Sequence, residues 1–124
     1  LKLQHDPLNT AASKDDLKRT RLEIFNLPIK TSDGHVFQFD GLSEKYMKST
    51  LDALGNDDFE FVDWILVDNR QILCSKKILQ EYFNELTLLK SKRSVQLTNE
   101  YLTLKKNNDL TLRDLANWAK KYQN

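Results

Sequence analysis

The chain has 124 residues, 40% of them apolar and 30% charged, and nineteen Lys and Arg against eighteen Asp and Glu leave a formal charge of +1. That length fits one domain of roughly 100–150 residues with one real core, and the charge balance gives no global field for holding phosphates or an anionic membrane surface. No apolar run approaches the roughly 18 residues of a membrane-crossing helix, the opening Leu1 to Asp6 lacks the apolar centre of a signal peptide, and the single Cys74 excludes an internal disulfide and a cysteine metal cluster.

A folded, water-soluble body is expected, in a reducing compartment or as an unexported virion component. The chain starts without Met and is expected to be a processed product, a fragment or one domain of a longer polypeptide. Residues 1–12, with Pro7, Asn9 and Thr10, carry no helical or strand period and read as a flexible arm or linker. A single α+β domain is predicted from residue 13 to residue 124.

Ser13 suits a helix cap, with Asp15 and Asp16 at the positive end of the helix dipole and Leu17, Leu22 and Phe25 on one buried side. Pro28 ends that helix. Ile29–Thr31 and Val36–Phe39 flank Ser32-Asp33-Gly34-His35, where Asp-Gly signals a hairpin and Phe37 and Phe39 share one face. Ser43 is expected to open a second helix with Tyr46, Met47, Leu51 and Leu54 on its apolar stripe and Gly55 as its closing cap.

Asn56-Asp57-Asp58 reads as a turn, and Phe59 to Val67 as a β-rich run that Asp68-Asn69-Arg70 turns into Gln71-Ile72-Leu73-Cys74. From Ser75 a helical period runs for up to thirty residues through Ile78, Leu79, Tyr82, Phe83, Leu86, Leu89, Leu97, Tyr101 and Leu104. Asn107-Asn108-Asp109 breaks it, and Thr111 caps a short helix with Leu112, Leu115, Trp118 and Ala119. The predicted order is α-ββ-α-ββ-α-α, with the two hairpins joined in one antiparallel sheet of about four strands covered on one face.

Catalytic raw material is sparse. The histidines are His5 in the arm and His35 beside a turn, and neither they nor Cys74 sit in a nucleophile motif. Asp57, Asp58, Asp63 and Asp68 are candidate acid/base carboxylates by type, but the turn positions explain most of them. No His/Asp/Glu set has metal-ligand spacing, and three glycines make no phosphate loop. No catalytic residue, cofactor or metal is therefore expected.

The basic run Lys90-Ser91-Lys92-Arg93 is the best nucleic-acid candidate, yet it reads first as a solvated helix face, and nucleic acid is not the expected partner. Tyr82, Leu86, Leu89, Arg93, Leu97, Glu100 and Leu104 approximate a heptad seam, so homo-oligomerisation through the long helix is an open option. Its second half and the last helix, at Leu97, Tyr101, Leu104 and Trp118, are the expected partner-binding surface, together with the free face of the sheet.

In pattern, Asp33-Gly34-His35-Val36-Phe37-Gln38-Phe39-Asp40 resembles a small domain family of unknown function found in tailed bacteriophages. The resemblance extends over about residues 15–118: a basic helix end at Arg19 and Arg21, the hairpin, Ser43, the Trp64 to Asp68-Asn69 turn, the long helix from Lys76 to Lys105 and the short one from Thr111 to Trp118. Ile65-Leu66-Val67 departs from it, being more apolar than the small residues or Thr that members often carry before Asp-Asn, which would deepen the core or supply a contact strip.

The resemblance brings no catalytic or ligand residues. It implies association with tail proteins and tail-fibre assembly, as a structural or adaptor domain binding another tail or tail-fibre protein in the virion tail. Alternatives are an assembly chaperone in the host cytoplasm that is absent from the finished particle, and a host-directed module binding protein or nucleic acid. Gly34, Phe37, Asp40, Ser43, Trp64, Asp68 and Asn69 have structural duties as turn, cap and core residues and form a fold signature.

Overall fold

The computed structural model describes residues 6–56 and 60–123. His5, the Asp57-Asp58 turn and Phe59 lie outside the described residues. The fold is α+β, with α1 (Lys14–Phe25), β1 (Ile29–Lys30), β2 (Val36–Phe37), α2 (Gly41–Ala53), β3 (Phe61–Ile65), β4 (Gln71–Ser75), α3 (Lys76–Lys105) and α4 (Leu112–Lys121). The predicted order and the thirty-residue helix are both present. The four strands do not join into one sheet: β1 pairs with β2 and β3 with β4, each antiparallel and two-stranded. One bond from the Val67 N–H to the Val36 carbonyl, at 3.2 Å, links the hairpins, because β1 and β2 are too short to extend a common ladder.

The chain gathers into two compact units, Asn26–Lys92 in one and the residues up to Phe25 with those from Arg93 onward in the other. In the first, Phe37, Phe39, Met47, Leu51, Trp64, Leu66, Cys74, Leu79 and Leu86 form the core. Fully burying a side chain of Leu, Phe or Met size contributes roughly 1.5–3 kcal/mol, which makes this cluster the main source of that unit's stability. Phe37 in β2 and Phe39, two residues on and past the strand's end, both point inward, as their spacing predicts.

The tips and ends follow local chemistry. Gly34 takes φ 89° in the first hairpin and Asn69 takes φ 67° in the second, the two left-handed positions that the turn residues supply. Asp40, not Ser43, caps α2: its Oδ1 accepts the Ser43 N–H at 2.9 Å, so the helix starts two residues earlier than expected. Its other end closes on Leu54, whose N–H reaches the Thr50 carbonyl at 3.0 Å, and Gly55 donates instead to Glu60 Oε2 at 3.0 Å.

In the second unit, Ser13 and Asp16 cap α1 reciprocally, at 2.9 and 3.0 Å, and Thr111 and Asp114 do the same for α4. Leu17 and Ile24 are the buried residues of α1, while Leu22 lies outside and Phe25 is half-buried. The stretch expected as an arm is tied down from Asp6 onward. Asp6 caps a short 3-10 helix, Pro7–Asn9, and pairs with Arg113; Ala12 donates to the Leu110 carbonyl at 2.8 Å and Leu112 to the Thr10 carbonyl at 3.0 Å.

Candidate partner-binding surface

The expected partner residues do not form a surface. Leu97 is 1% exposed, Tyr101 9% and Trp118 7%, all within the second unit, and Leu104 is half-buried. The reason is closure of the chain on itself: α1 and α4 return to the second half of α3, so its apolar stripe has its own domain to cover. Arg21 lies 4.8 Å over the Tyr101 ring and donates to Thr98 Oγ1 at 3.0 Å, and the Trp118 indole donates to Glu100 Oε1 at 2.9 Å. The heptad seam is likewise spent inside the units, with Leu86 and Leu97 buried and Tyr82 and Leu89 packed on the first core.

The basic run is also less solvated than its sequence implies. Lys90 is buried, 3.5 Å from Glu44 Oε2 and 5.5 Å from the Phe39 ring centroid, and half-buried Arg93 donates to the Ile24 carbonyl at 3.5 Å.

Outward apolar residues occur in both units, Leu22, Val95 and Leu102 in the second, but in the first they gather beside a groove. On β3, Val62 and Trp64 turn toward the core and Phe61, Asp63 and Ile65 turn out; on β4 Leu73 stands opposite Asp63. Ile65 is 62% and Leu73 59% exposed. Leu42 and Tyr46, one turn apart on α2, are 81% and 65% exposed, and the Tyr46 ring packs 5.2 Å from that of Trp64. Tyr46 therefore stands outside the Met47-Leu51-Leu54 stripe it was expected to join. Between α2 and β3 runs a groove of about 440 Å³ lined by Gln38, Asp40, Leu42, Tyr46, Asp63 and Ile65.

Of the fold-signature residues, Phe37 and Trp64 are core, Gly34 and Asn69 hold positive φ, and Asp40 caps α2 while lining the groove. Asp68 accepts the Arg70 N–H at 3.0 Å and its Nε at 2.6 Å, which fastens the second turn. Its carboxyl is held below the usual range by those bonds, the backbone one foremost, against a smaller opposing effect of burial.

A polar cluster clips the first hairpin to α3. Asp33 accepts from Thr31 Oγ1 and from the Tyr82 hydroxyl, His35 Nε2 lies 3.9 Å from Asp33 Oδ2, and Ser32 N–H donates to Glu85 Oε1 at 2.7 Å. Burial and then the Asp33 hydrogen bond push the Tyr82 hydroxyl well above its ordinary range, so it serves as a donor to the carboxylate. Cys74 is in the core, its Sγ donating to the Ile72 carbonyl at 3.6 Å, whereas His35 faces Asp33 and the edge of Tyr82. Among the described residues no group of three or more His, Cys, Asp or Glu could hold a metal ion. No described helix is long and apolar enough to cross a membrane.

The outward pair Leu42 and Tyr46 was open to sequence reasoning as a second stripe at helical spacing, and Phe61, Ile65 and Val67 as one parity of the β-rich run. The run's unbroken hydrophobicity leaves its parity unassigned, so Ile65-Leu66-Val67 reads equally as deeper core or as a contact strip. No family model, no curated protein and no solved structure matches this chain.

Proposed function

We propose that this chain is a non-catalytic protein-binding module of a phage tail, an adaptor that joins another tail or tail-fibre protein through the outer face of β3–β4 and the adjoining α2. One observation carries the binding role: Leu42, Tyr46, Ile65 and Leu73 stand outside the core on neighbouring elements, beside a groove. The class of partner comes from the resemblance at Asp33 to Asp40 and Trp64 to Asn69 alone. Among the described residues His35 faces Tyr82 and Asp33 while Cys74 donates to the Ile72 carbonyl, so the two do not pair, which supports a module that binds without reacting.

Co-sedimentation of the chain with purified tails, and capture of isolated tail-fibre protein, test this directly. Replacing Ile65 and Leu73 with Ser should weaken association by at least about tenfold while leaving the folded state intact, since both side chains are already mostly exposed. Undiminished binding by the folded double variant excludes this surface. Mass spectrometry of purified particles then distinguishes a resident component from an assembly chaperone, which would bind fibre protein and be missing from the particle.

A further inference from the structure

Resting on the protein-binding role proposed above, we infer that β3 receives an extended, basic and apolar segment of the partner as an added strand along its open edge.

The hydrogen-bond register carries the first step. Leu66 N–H donates to the Arg70 carbonyl at 2.8 Å, which makes that pair hydrogen-bonded and, by antiparallel alternation, Trp64↔Ile72 and Val62↔Cys74 as well. Asp63 and Ile65 occupy the alternate positions, so their N–H and C=O groups point away from β4. Val67, two residues further at the same parity, uses its outward N–H to reach Val36. For Asp63 and Ile65 no such partner exists among the described residues, because the first hairpin supplies a neighbour at Val36 and leaves a groove from Gln38 onward. An edge with unpaired backbone groups is a template for another strand.

The groove specifies what that strand carries. Leu42, Tyr46 and Ile65 give it an apolar floor, and its charged lining residues are both acidic, Asp40 and Asp63. Asp40 keeps its charge: the Ser43 N–H holds its carboxyl below the usual range. The buried cation Lys90 lies 3.5 Å from Glu44 Oε2 and also acts on Asp40, so the groove's demand for a cation rests chiefly on Asp63, and the α2 lysines Lys45 and Lys48 do not line the groove. Side chains of an added strand alternate between faces, so Lys or Arg on the parity beside outward Asp63 and apolar residues on the parity toward Tyr46 and Trp64 meet this lining. A second copy of the chain fits poorly, since two-fold pairing of β3 about its middle residue sets Asp63 against Asp63.

The probe is an acetylated, amidated hexapeptide alternating Lys and Val, spanning about 20 Å when extended, with its Glu–Val counterpart as control. Amide hydrogen exchange of the whole chain is read by NMR. The Lys–Val peptide should slow exchange at Asp63 and Ile65 by at least about tenfold, the Glu–Val peptide should not, and Asp63→Lys should abolish the protection. Absence of protection, equal protection by both peptides, or protection appearing with protein concentration alone would each overturn the inference. Tails that bind the wild type and release the Ile65/Leu73 variant, with no protection by the Lys–Val peptide, would remove the added strand and leave the adaptor role. Protection by that peptide with no binding to tails would keep the added strand and remove the tail partner.

Discussion

Trp118 and Glu100, eighteen positions apart, meet in a 2.9 Å hydrogen bond from the indole Nε1 to the carboxylate. The same carboxylate accepts from Lys121, from the Tyr122 hydroxyl and from Gln96 Nε2 at 3.3 Å, so one side chain of α3 gathers the end of α4. Burial alone would raise the Glu100 pKa. The bonds from Lys121, Tyr122, Trp118 and Gln96 outweigh it and bring the carboxyl down from 4.5 to about 2.

A carboxyl depressed on folding stabilises the folded state above its unfolded pKa and ceases to do so as pH falls through the folded one. The contribution of Glu100 should thus be complete at pH 7 and fade between about 4.5 and 2. Glu100→Gln should cost about 1–3 kcal/mol at neutral pH, with a gap to the wild type that narrows across that window. Urea unfolding of both proteins from pH 7 to pH 2.5 measures it. A gap independent of pH would mean that the charge of Glu100 contributes nothing.

The second half of α3 makes a contrast between neighbouring faces. Leu97 is buried while Leu102, five positions on, is half exposed. Leu97→Ala should destabilise by about 2–4 kcal/mol through lost burial and the cavity left behind, and Leu102→Ala by no more than about 0.5 kcal/mol. Chemical denaturation of the two variants decides it: near-equal losses would contradict the inward orientation of Leu97.

The elements with a local cause were legible in the sequence. The Asp33-Gly34 and Asp68-Asn69 turns, the Ser13 and Thr111 caps and the long helix all follow from residues within four positions of one another. What escaped depends on distant pairing. The Leu97, Tyr101 and Trp118 stripe looked available because nothing local says that α1 and α4 return to cover it, and Asp6 to Ala12 looked loose because its partners, Leu110 to Arg113, lie about a hundred residues away. The face proposed for docking was expected only as the free face of the sheet, and its residues were hidden for a local reason: outward Phe61 and Ile65 differ from inward Trp64 and Leu66 only by parity, which a continuous apolar run conceals.

The two turn residues with positive φ should respond oppositely to the same kind of change. At Gly34, with φ 89°, an added Cβ meets nothing within 4 Å, so the penalty for Gly34→Ala is purely that of the backbone, about 1–2 kcal/mol. Asn69, at φ 67°, already accepts a milder form of that strain, and Asn69→Gly should leave stability unchanged or raise it by up to about 1 kcal/mol. Thermal unfolding of both variants checks the pair. A neutral Gly34→Ala would show that the first turn can adopt another conformation without loss.

Cys74 should behave as a core side chain rather than as a reactive thiol. Burial, and secondarily the charge of Asp63, push its pKa from 9.0 up to about 11. At pH 8 the thiolate is then about a hundredfold scarcer than for an unperturbed cysteine, before restricted access is counted, and alkylation by iodoacetamide should be slower by at least that factor in the native protein than in urea. Because the unfolded thiol ionises first, stability should decline as pH rises from about 9 toward 11, the direction expected for an acid whose folded pKa is raised. Cys74→Ala should lessen that alkaline decline, most clearly between about pH 9 and 10 before the raised hydroxyls of Tyr82 and Tyr122 contribute, while costing about 1 kcal/mol at pH 7 from lost packing. Rapid labelling of the native chain at pH 8 would mean that the β3–β4 hairpin opens far more readily than its burial of Trp64 and Cys74 implies.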